Sequence, residues 1–291
     1  MRPVPSYAVE VTFFGTRGSC PCSGSGYQRY GGNTSCVLVR SGDGDPLILD
    51  LGTGLRALGA QLAPQLAAQG TPLRATALLT HLHYDHVLGL PFFSPLQDPG
   101  AVLEVFGPSP AAGPLAEVLP TVVQPPFFPL QLKEFRGSVN LHEIGQDVLD
   151  GGWFKATGRA VDHPGPTLGY RVEADGATLA YLPDHQAPLD RQEVARGVHE
   201  ICDGADLLIH DAQYSDEEFA AFPDWGHSTI AYAVQVAVSC KVRNLVLFHH
   251  DPSHDDGEID RLLAMARSLP GADALESIVA AEEGMAFELG V

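Results

Sequence analysis

The stretch Thr80-His81-Leu82-His83-Tyr84-Asp85-His86 sets four imidazole or carboxylate side chains within six positions. It follows an apolar run, Ala75 to Leu79, that reads as a buried strand. Alternate residues of extended backbone share a face, so His81 and His83 reach one point. The turn that follows redirects Asp85 and His86 toward another. Imidazole and carboxylate together are ligands that zinc accepts, as do manganese and iron. A lone histidine would count as ordinary surface polarity. Four ligand types at one strand end predict a metal site. A second dense stretch, Leu247 to Asp256, holds three histidines and three aspartates, more than one ion can use. Its His249 closes another apolar run. Asp255 and Glu258 have capping-box spacing and are read as a helix start, with Asp256 in its first turn. His250, Asp251 and His254 are read as solvated loop residues beside the site, with support of its ligands or contact with substrate as the alternative.

The elements that must position these residues alternate along the chain. Strands are expected over 8–15, 35–40 and 46–50, with the turn Ser41 to Asp45 joining the last two. A helix follows over 54–69, with Pro64 as a candidate kink. Residues 91–137 are rich in Pro and aromatics and read as irregular, packed structure. Two apolar runs around Asp175-Gly176 predict a hairpin over 167–184. Strands at 205–211 and 244–249 alternate with helices at 228–240, capped by Ser228, and 255–269. The alternation predicts an α/β class. With 291 residues, 45% of them apolar, the chain fits one domain over 1–291.

Composition excludes some functions. The 17 Lys and Arg against 36 Asp and Glu give a net charge of −19, which repels a polyanion and favours solubility. No apolar run approaches the ~18 residues of a membrane span. The opening Met1-Arg2-Pro3-Val4-Pro5 carries no apolar signal segment, so a soluble, cytoplasmic protein is expected. Five scattered cysteines do not make a disulfide framework, and Cys20-Pro21-Cys22 lacks the second pair a structural metal site needs.

The His81-x-His83-x-Asp85-His86 pattern resembles the H-x-H-x-D-H signature of the metallo-β-lactamase superfamily. The resemblance implies a four-layer αβ/βα sandwich with metals at one edge. It also implies further ligands downstream, and His163, Asp184 and His249 appear in order. Pairing Ala174 with Ala177 around the turn sets Asp184 opposite Thr167, so His163 and Asp184 emerge at one end of one sheet. By resemblance, His81, His83 and His163 hold a first divalent ion. Asp85, His86 and His249 hold a second, and Asp184 bridges them. Zinc is the first candidate, manganese or iron the alternatives. Two ions roughly 3.5–4 Å apart share a water, activate it as hydroxide and clamp a substrate oxygen. Two ions, two carboxylates and one hydroxide leave the centre near +1 by this scheme, which suits a phosphodiester monoanion. A neutral lactone or β-lactam also fits that charge.

Three further stretches narrow the branch. Gly226-His227-Ser228-Thr229, Leu207 to Ala212 and Phe13 to Pro21 resemble the ribonuclease Z branch and its small-molecule phosphodiesterase relatives. The resemblance runs over most of the chain. It implies that His227 stabilises the scissile phosphate and protonates the leaving oxygen, and that Asp211 orients His227. Asp85 counts with them as catalytic as well as ligating. Two departures bear on the substrate. Asp211 stands where tRNA-processing members usually carry Glu. The interval from His163 to Asp184 is one tight hairpin, with no room for the basic arm that grips tRNA. A small phosphodiester is therefore expected, a cyclic nucleotide first, and nucleic acid is not. The resemblance allows a homodimer, for which 91–137 is the candidate surface. Arg29, Asn33, Thr34 and Ser35, in the loop 29–36, either face the substrate phosphate or only shape a turn. The alternatives are a lactonase or β-lactamase-like hydrolase, a ribonuclease Z-like RNA endonuclease, a non-catalytic metal-binding protein and a redox di-iron enzyme.

Overall fold

The computed structural model describes residues 8–42, 44–189 and 193–290. The opening Met1 to Pro5 and Asp43 of the expected Ser41–Asp45 turn lie outside the described residues. The first six strands are β1 (Val9–Gly15), β2 (Cys36–Ser41), β3 (Leu47–Leu49), β4 (Arg74–Leu78), β5 (Val102–Gly107) and β6 (Ser138–Glu143). Then come β7 (Val148–Asp150), β8 (Phe154–Ala160), β9 (Leu168–Ala174), β10 (Ala177–Leu182), β11 (Leu207–Asp211), β12 (Asn244–Phe248), β13 (Ser277–Ala280) and β14 (Ala286–Leu289). The helices are α1 (Gly54–Gln69), α2 (Tyr84–Val87), α3 (Leu115–Val118), α4 (Arg196–Cys202), α5 (Asp216–Ala221), α6 (Ile230–Ser239) and α7 (Asp256–Arg267).

The strands form two seven-stranded sheets, ordered β14-β1-β2-β3-β4-β5-β6 and β13-β12-β11-β10-β9-β8-β7. Counted from β14 in the first sheet and from β7 in the second, each has three antiparallel pairings followed by three parallel ones. Alternation along the strands explains the layers. Leu47 and Leu49 of β3 meet Leu179 and Tyr181 of β10, Ile209 of β11 and Phe248 of β12 in the core between the sheets. The intervening Ala180, Leu182, Leu208 and Leu247 face α4, α6 and α7. On the other side Ile48 packs with Leu55, Leu58 and Leu62 of α1. Strands covered on both faces must be apolar at every position, and these read as continuous apolar runs. The result is the four-layer αβ/βα sandwich of the metallo-β-lactamase fold.

Local expectations fare unevenly. The hairpin pairs Ala174 with Ala177, and Asp175 and Gly176 take φ of 46° and 83°, as a two-residue turn matched to strand twist requires. Helix α1 runs through Pro64 without a break and ends at Gly70 in the left-handed region. Asp255 caps α7 by accepting from the Glu258 N–H at 2.9 Å. The cap of α6 is Thr229, not Ser228: Thr229 Oγ1 accepts from Tyr232 N–H, while the Ser228 hydroxyl donates to the His185 carbonyl. Residues 91–137 are not wholly irregular, since they contain β5, paired in parallel with β4 and β6. Among the described residues no helix is long and apolar enough to cross a membrane.

Candidate metal centre

The parallel strands β3, β4, β10, β11 and β12 lead at their carboxyl ends to Asp50, His81, Asp184, Asp211 and His249. This is the edge where open α/β sheets gather their ligands. After β4 the backbone stays extended to His83, whose ψ of 153° precedes the single turn of α2. That turn carries Asp85 and His86 inward, where both are buried, while His83 stays at the mouth.

The seven sequence-predicted ligands converge in two groups. In the first, the rings of His81 and His83 have centroids 4.4 Å apart, and those of His81 and His163 lie 4.7 Å apart. His83 Nδ1 and His163 Nε2 approach to 3.2 Å. Two nitrogens at ~2.05 Å on a tetrahedral ion would be about 3.3 Å apart. In the second, Asp85 Oδ2 lies 3.3 Å from His86 Nε2 and 3.1 Å from His249 Nε2. Asp184 reaches both groups. Its Oδ1 is 3.9 Å from His81 Nε2 and 3.8 Å from His163 Nε2. Its Oδ2 is 2.9 Å from His86 Nε2 and 3.2 Å from His249 Nε2.

The donor set fits divalent cations. Buried His81 Nε2, His86 Nε2 and Asp184 Oδ2 have no hydrogen-bond partner of proper geometry, despite the close approach of the last two. Buried polar atoms are normally paired, so three converging orphans mark a place shaped for something else. The far ring nitrogens are held. His86 Nδ1 donates to Asp50 Oδ2 at 2.8 Å, His163 Nδ1 to the Gly226 carbonyl at 2.8 Å, and His249 Nδ1 lies 2.9 Å from Gln213 Oε1. Such bonds direct the opposite nitrogen of each imidazole inward.

Electrostatics separate the groups. Burial holds His81, His83 and His163 below the ordinary imidazole value, which leaves them neutral and ligand-competent. Burial opposes charge on His86 too, but the carboxylates of Asp85, Asp184 and Asp50 surround it and hold it well above that value. Asp85 and Asp184 sit well below the carboxylate range against their burial, because histidines face them.

His227 adjoins both groups. Its Nδ1 lies 3.0 Å from Asp211 Oδ2. Burial lowers the His227 value, but the Asp211 carboxylate outweighs it and pushes it up to about 9. Divalent cations beside the ring would push it down again. Asp211 is fully buried and also accepts from the backbone N–H groups of His185 and Gln213. Ser19, Leu82, His83, Tyr84, Asp85, Asp184 and His227 line a cavity of about 330 Å³. A larger hollow of about 800 Å³ lies along β6 and contains none of the converging ligands.

Other expectations fail here. Arg29 is tied to Asp256 and Asp260, Asn33 to Glu283 and Thr34 to Thr53, while Ser35 is fully buried. These residues hold the loop 29–36 in place and line no part of the cavity. His250 and His254 are buried, not solvated. His250 Nε2 meets the Ala281 carbonyl at 3.0 Å, and His254 Nε2 meets Glu218 Oε1 at 2.7 Å. Asp251 accepts from Gln213 and Ser253. The cause is Arg17, fully buried, which donates from Nε to the Gly31 carbonyl and from Nη1 to those of Asp251 and His254, and so draws their loops together, while its Nη2 has no partner among the described residues. Sequence reasoning missed Asp50 and Gln213. The one sign of Asp50 was a carboxylate closing the apolar run Leu47 to Leu49.

Comparison with known proteins bears on the fold that holds these residues. Ribonuclease Z of Natronomonas pharaonis is 27% identical over 87% of this chain and 92% of its own. The metallo-β-lactamase fold protein YhfI of Bacillus subtilis superposes with a TM-score of 0.69 at 20% identity, over 97% of this chain and 99% of its own. The short form of human tRNase Z superposes with a TM-score of 0.65 at 23% identity, over 97% of this chain and 100% of its own. Residues 47–250 match the beta-lactamase superfamily domain, and every predicted ligand falls inside them. With the match spanning both sheets and the converging ligands, the chain belongs to the beta-lactamase superfamily.

Proposed function

We propose that this chain is a dinuclear metal-dependent phosphodiesterase, one hydrolase domain acting on a small phosphodiester, with a cyclic nucleotide as first candidate. The observation that carries the reading is the Asp211–His227 pair, 3.0 Å apart, beside the two ligand groups that share Asp184. His81, His83 and His163 would hold one divalent ion, zinc first, and Asp85, His86 and His249 the other, with Asp184 between them. Bound there, the ions supply an activated water at neutral pH and neutralise charge on phosphate oxygens.

The chain's own residues do the rest. Asp211 fixes the His227 ring through Nδ1, so Nε2 is the nitrogen left to meet a phosphate oxygen. Protonated, His227 stabilises the charge that develops there and hands a proton to the leaving alkoxide. Ser19 N–H donates to Asp85 Oδ2 at 2.8 Å and keeps that carboxylate turned toward His249.

Substrate size follows from the cavity and its charge. Among the described residues no Lys or Arg lines it. The chain between His163 and Asp184 is spent on β9, a two-residue turn and β10. With a net charge of −19, little here would hold a run of phosphates. A second reading, an RNA endonuclease, draws on relatives named Ribonuclease Z that align over 87% and 95% of this chain. Five free cysteines suit a reducing, cytoplasmic compartment. Tyr84, Phe92 and Phe127, respectively 66%, 53% and 80% exposed, gather on one face, which supports pairing with a second copy of the chain.

The test is turnover of bis(4-nitrophenyl) phosphate by chelated protein before and after zinc or manganese is restored. Metal-dependent release of nitrophenol supports the reading. Inactivity with both metals, alongside lactone hydrolysis, would overturn it. Sedimentation as a monomer would remove the dimer.

A further inference from the structure

Asp251 is a carboxylate and can only accept hydrogen bonds. Its Oδ1 takes the Ser253 N–H at 2.8 Å and the Ser253 hydroxyl at 2.6 Å. Its Oδ2 lies 3.2 Å from the side-chain amide of Gln213 and must be met by the nitrogen, Nε2. That settles which way the Gln213 amide faces, a choice its shape alone leaves open. Gln213 Oε1 is therefore the atom 2.9 Å from His249 Nδ1, and it also can only accept. The proton of the His249 ring is thereby placed on Nδ1. Nε2 is then the nitrogen turned to the ligand oxygens, Asp85 Oδ2 at 3.1 Å and Asp184 Oδ2 at 3.2 Å.

The surroundings are built around this chain of bonds. His249 takes a φ of 60°, unusual for a side-chain-bearing residue, which aims it back along the end of β12. Gly18 lies over the His249–Gln213 bond. A Cβ there would come within 2.3 Å of His249 Nδ1 and 2.7 Å of Gln213 Oε1. Asp211 ends β11 and Gln213 lies two residues on. Asp211 holds His227 and Gln213 holds His249, and the Gln213 N–H donates to Asp211 Oδ1 at 3.1 Å.

We propose that Gln213 is a positioning residue, set by Asp251, that fixes the His249 ring with its proton on Nδ1 and so prepares Nε2 as a ligand for the second metal ion only. The inference rests on the metal reading above. It assigns Gln213 no contact with substrate.

The experiment titrates zinc into chelated protein by calorimetry and records, by ¹⁵N-edited NMR of the zinc-loaded and the metal-free protein, whether His249 Nδ1 holds its proton against exchange. The wild type should take up two zinc ions and hold the Nδ1 proton. Gln213→Leu should bind the first ion as the wild type does and the second about ten- to hundredfold more weakly. Its His249 Nδ1 proton should exchange freely with solvent. Gln213→Glu combined with Asp251→Asn restores an acceptor toward His249 and a donor behind it, and should recover both readouts. Unchanged second-ion affinity and proton exchange in Gln213→Leu would overturn the proposal. So would equal weakening of both ions with loss of stability, or failure of the paired variant to recover. A wild type that takes up no zinc would instead sink the metal reading, before any variant is made.

Discussion

Asp184 Oδ2 lies 2.9 Å from His86 Nε2, joining a residue that follows β10 of one sheet to one that follows β4 of the other. The same carboxylate turns Oδ1 toward His163, 3.8 Å away. Each oxygen thus faces a different histidine group. Asp184→Ala should therefore lower metal content at both groups, measured by elemental analysis after dialysis. Retention of wild-type content would remove the bridging role.

His227 is tied to Asp211 and lines the cavity, while the ligand groups are complete without it. His227→Ala should keep wild-type metal content and lose about 10²- to 10⁴-fold in kcat on an aryl phosphodiester, the range of a lost general acid. Turnover near that of the wild type would show that His227 is not the proton donor.

Asp50 gathers four donors in the core: His86 Nδ1, the Thr80 N–H and hydroxyl, and the Tyr181 hydroxyl. Asp50→Ala strands all of them. Urea denaturation of metal-free protein should show a loss of about 3–5 kcal/mol, as when one partner of a buried ionic pair is removed. A loss under about 1 kcal/mol would mean that the core relaxes around the gap.

What could be read from the sequence was what is local. His81, His83, Asp85 and His86 are consecutive in effect, and the turn that splits them is written between them. The hairpin register followed from the Asp175-Gly176 turn, so Asp184 could be placed opposite Thr167 by counting. Asp50 and Gln213 escaped because their roles depend on His86 and His249, residues distant in the chain. The loop 29–36 stayed open between a phosphate contact and a turn for the same reason: Glu283 and Asp260, far downstream, decide where Asn33 and Arg29 point. Strand β5 was hidden by the Pro and aromatic residues on either side. Ser228 and Thr229 are equally good caps by type, and only the His185 carbonyl decides between them.

His210 is fully buried, with Nδ1 donating to the Asp211 carbonyl at 2.6 Å and Nε2 facing His185 at 3.2 Å. Burial lowers its value below the ordinary imidazole value. The unfolded chain therefore binds a proton first as pH falls. The stability this neutral ring contributes is full above pH ~6.5 and is lost below it, by at most about 1.4 kcal/mol per pH unit. His210→Gln lacks this loss, so the stability gap between wild type and variant should narrow from pH 8 to pH 5 in urea titrations, both values spanning the ~6.5 reference. A gap that widens as pH falls would reverse the sign and refute the assignment.

The central claim is a small-phosphodiester hydrolase built on two metal ions. Its most direct test is initial-rate turnover of metal-loaded protein on a 3′,5′-cyclic nucleotide beside a precursor tRNA with a 3′ trailer. Metal-dependent opening of the cyclic phosphodiester without trailer release, both ions being needed, is the expected result. Efficient trailer cleavage and an untouched cyclic nucleotide would contradict it.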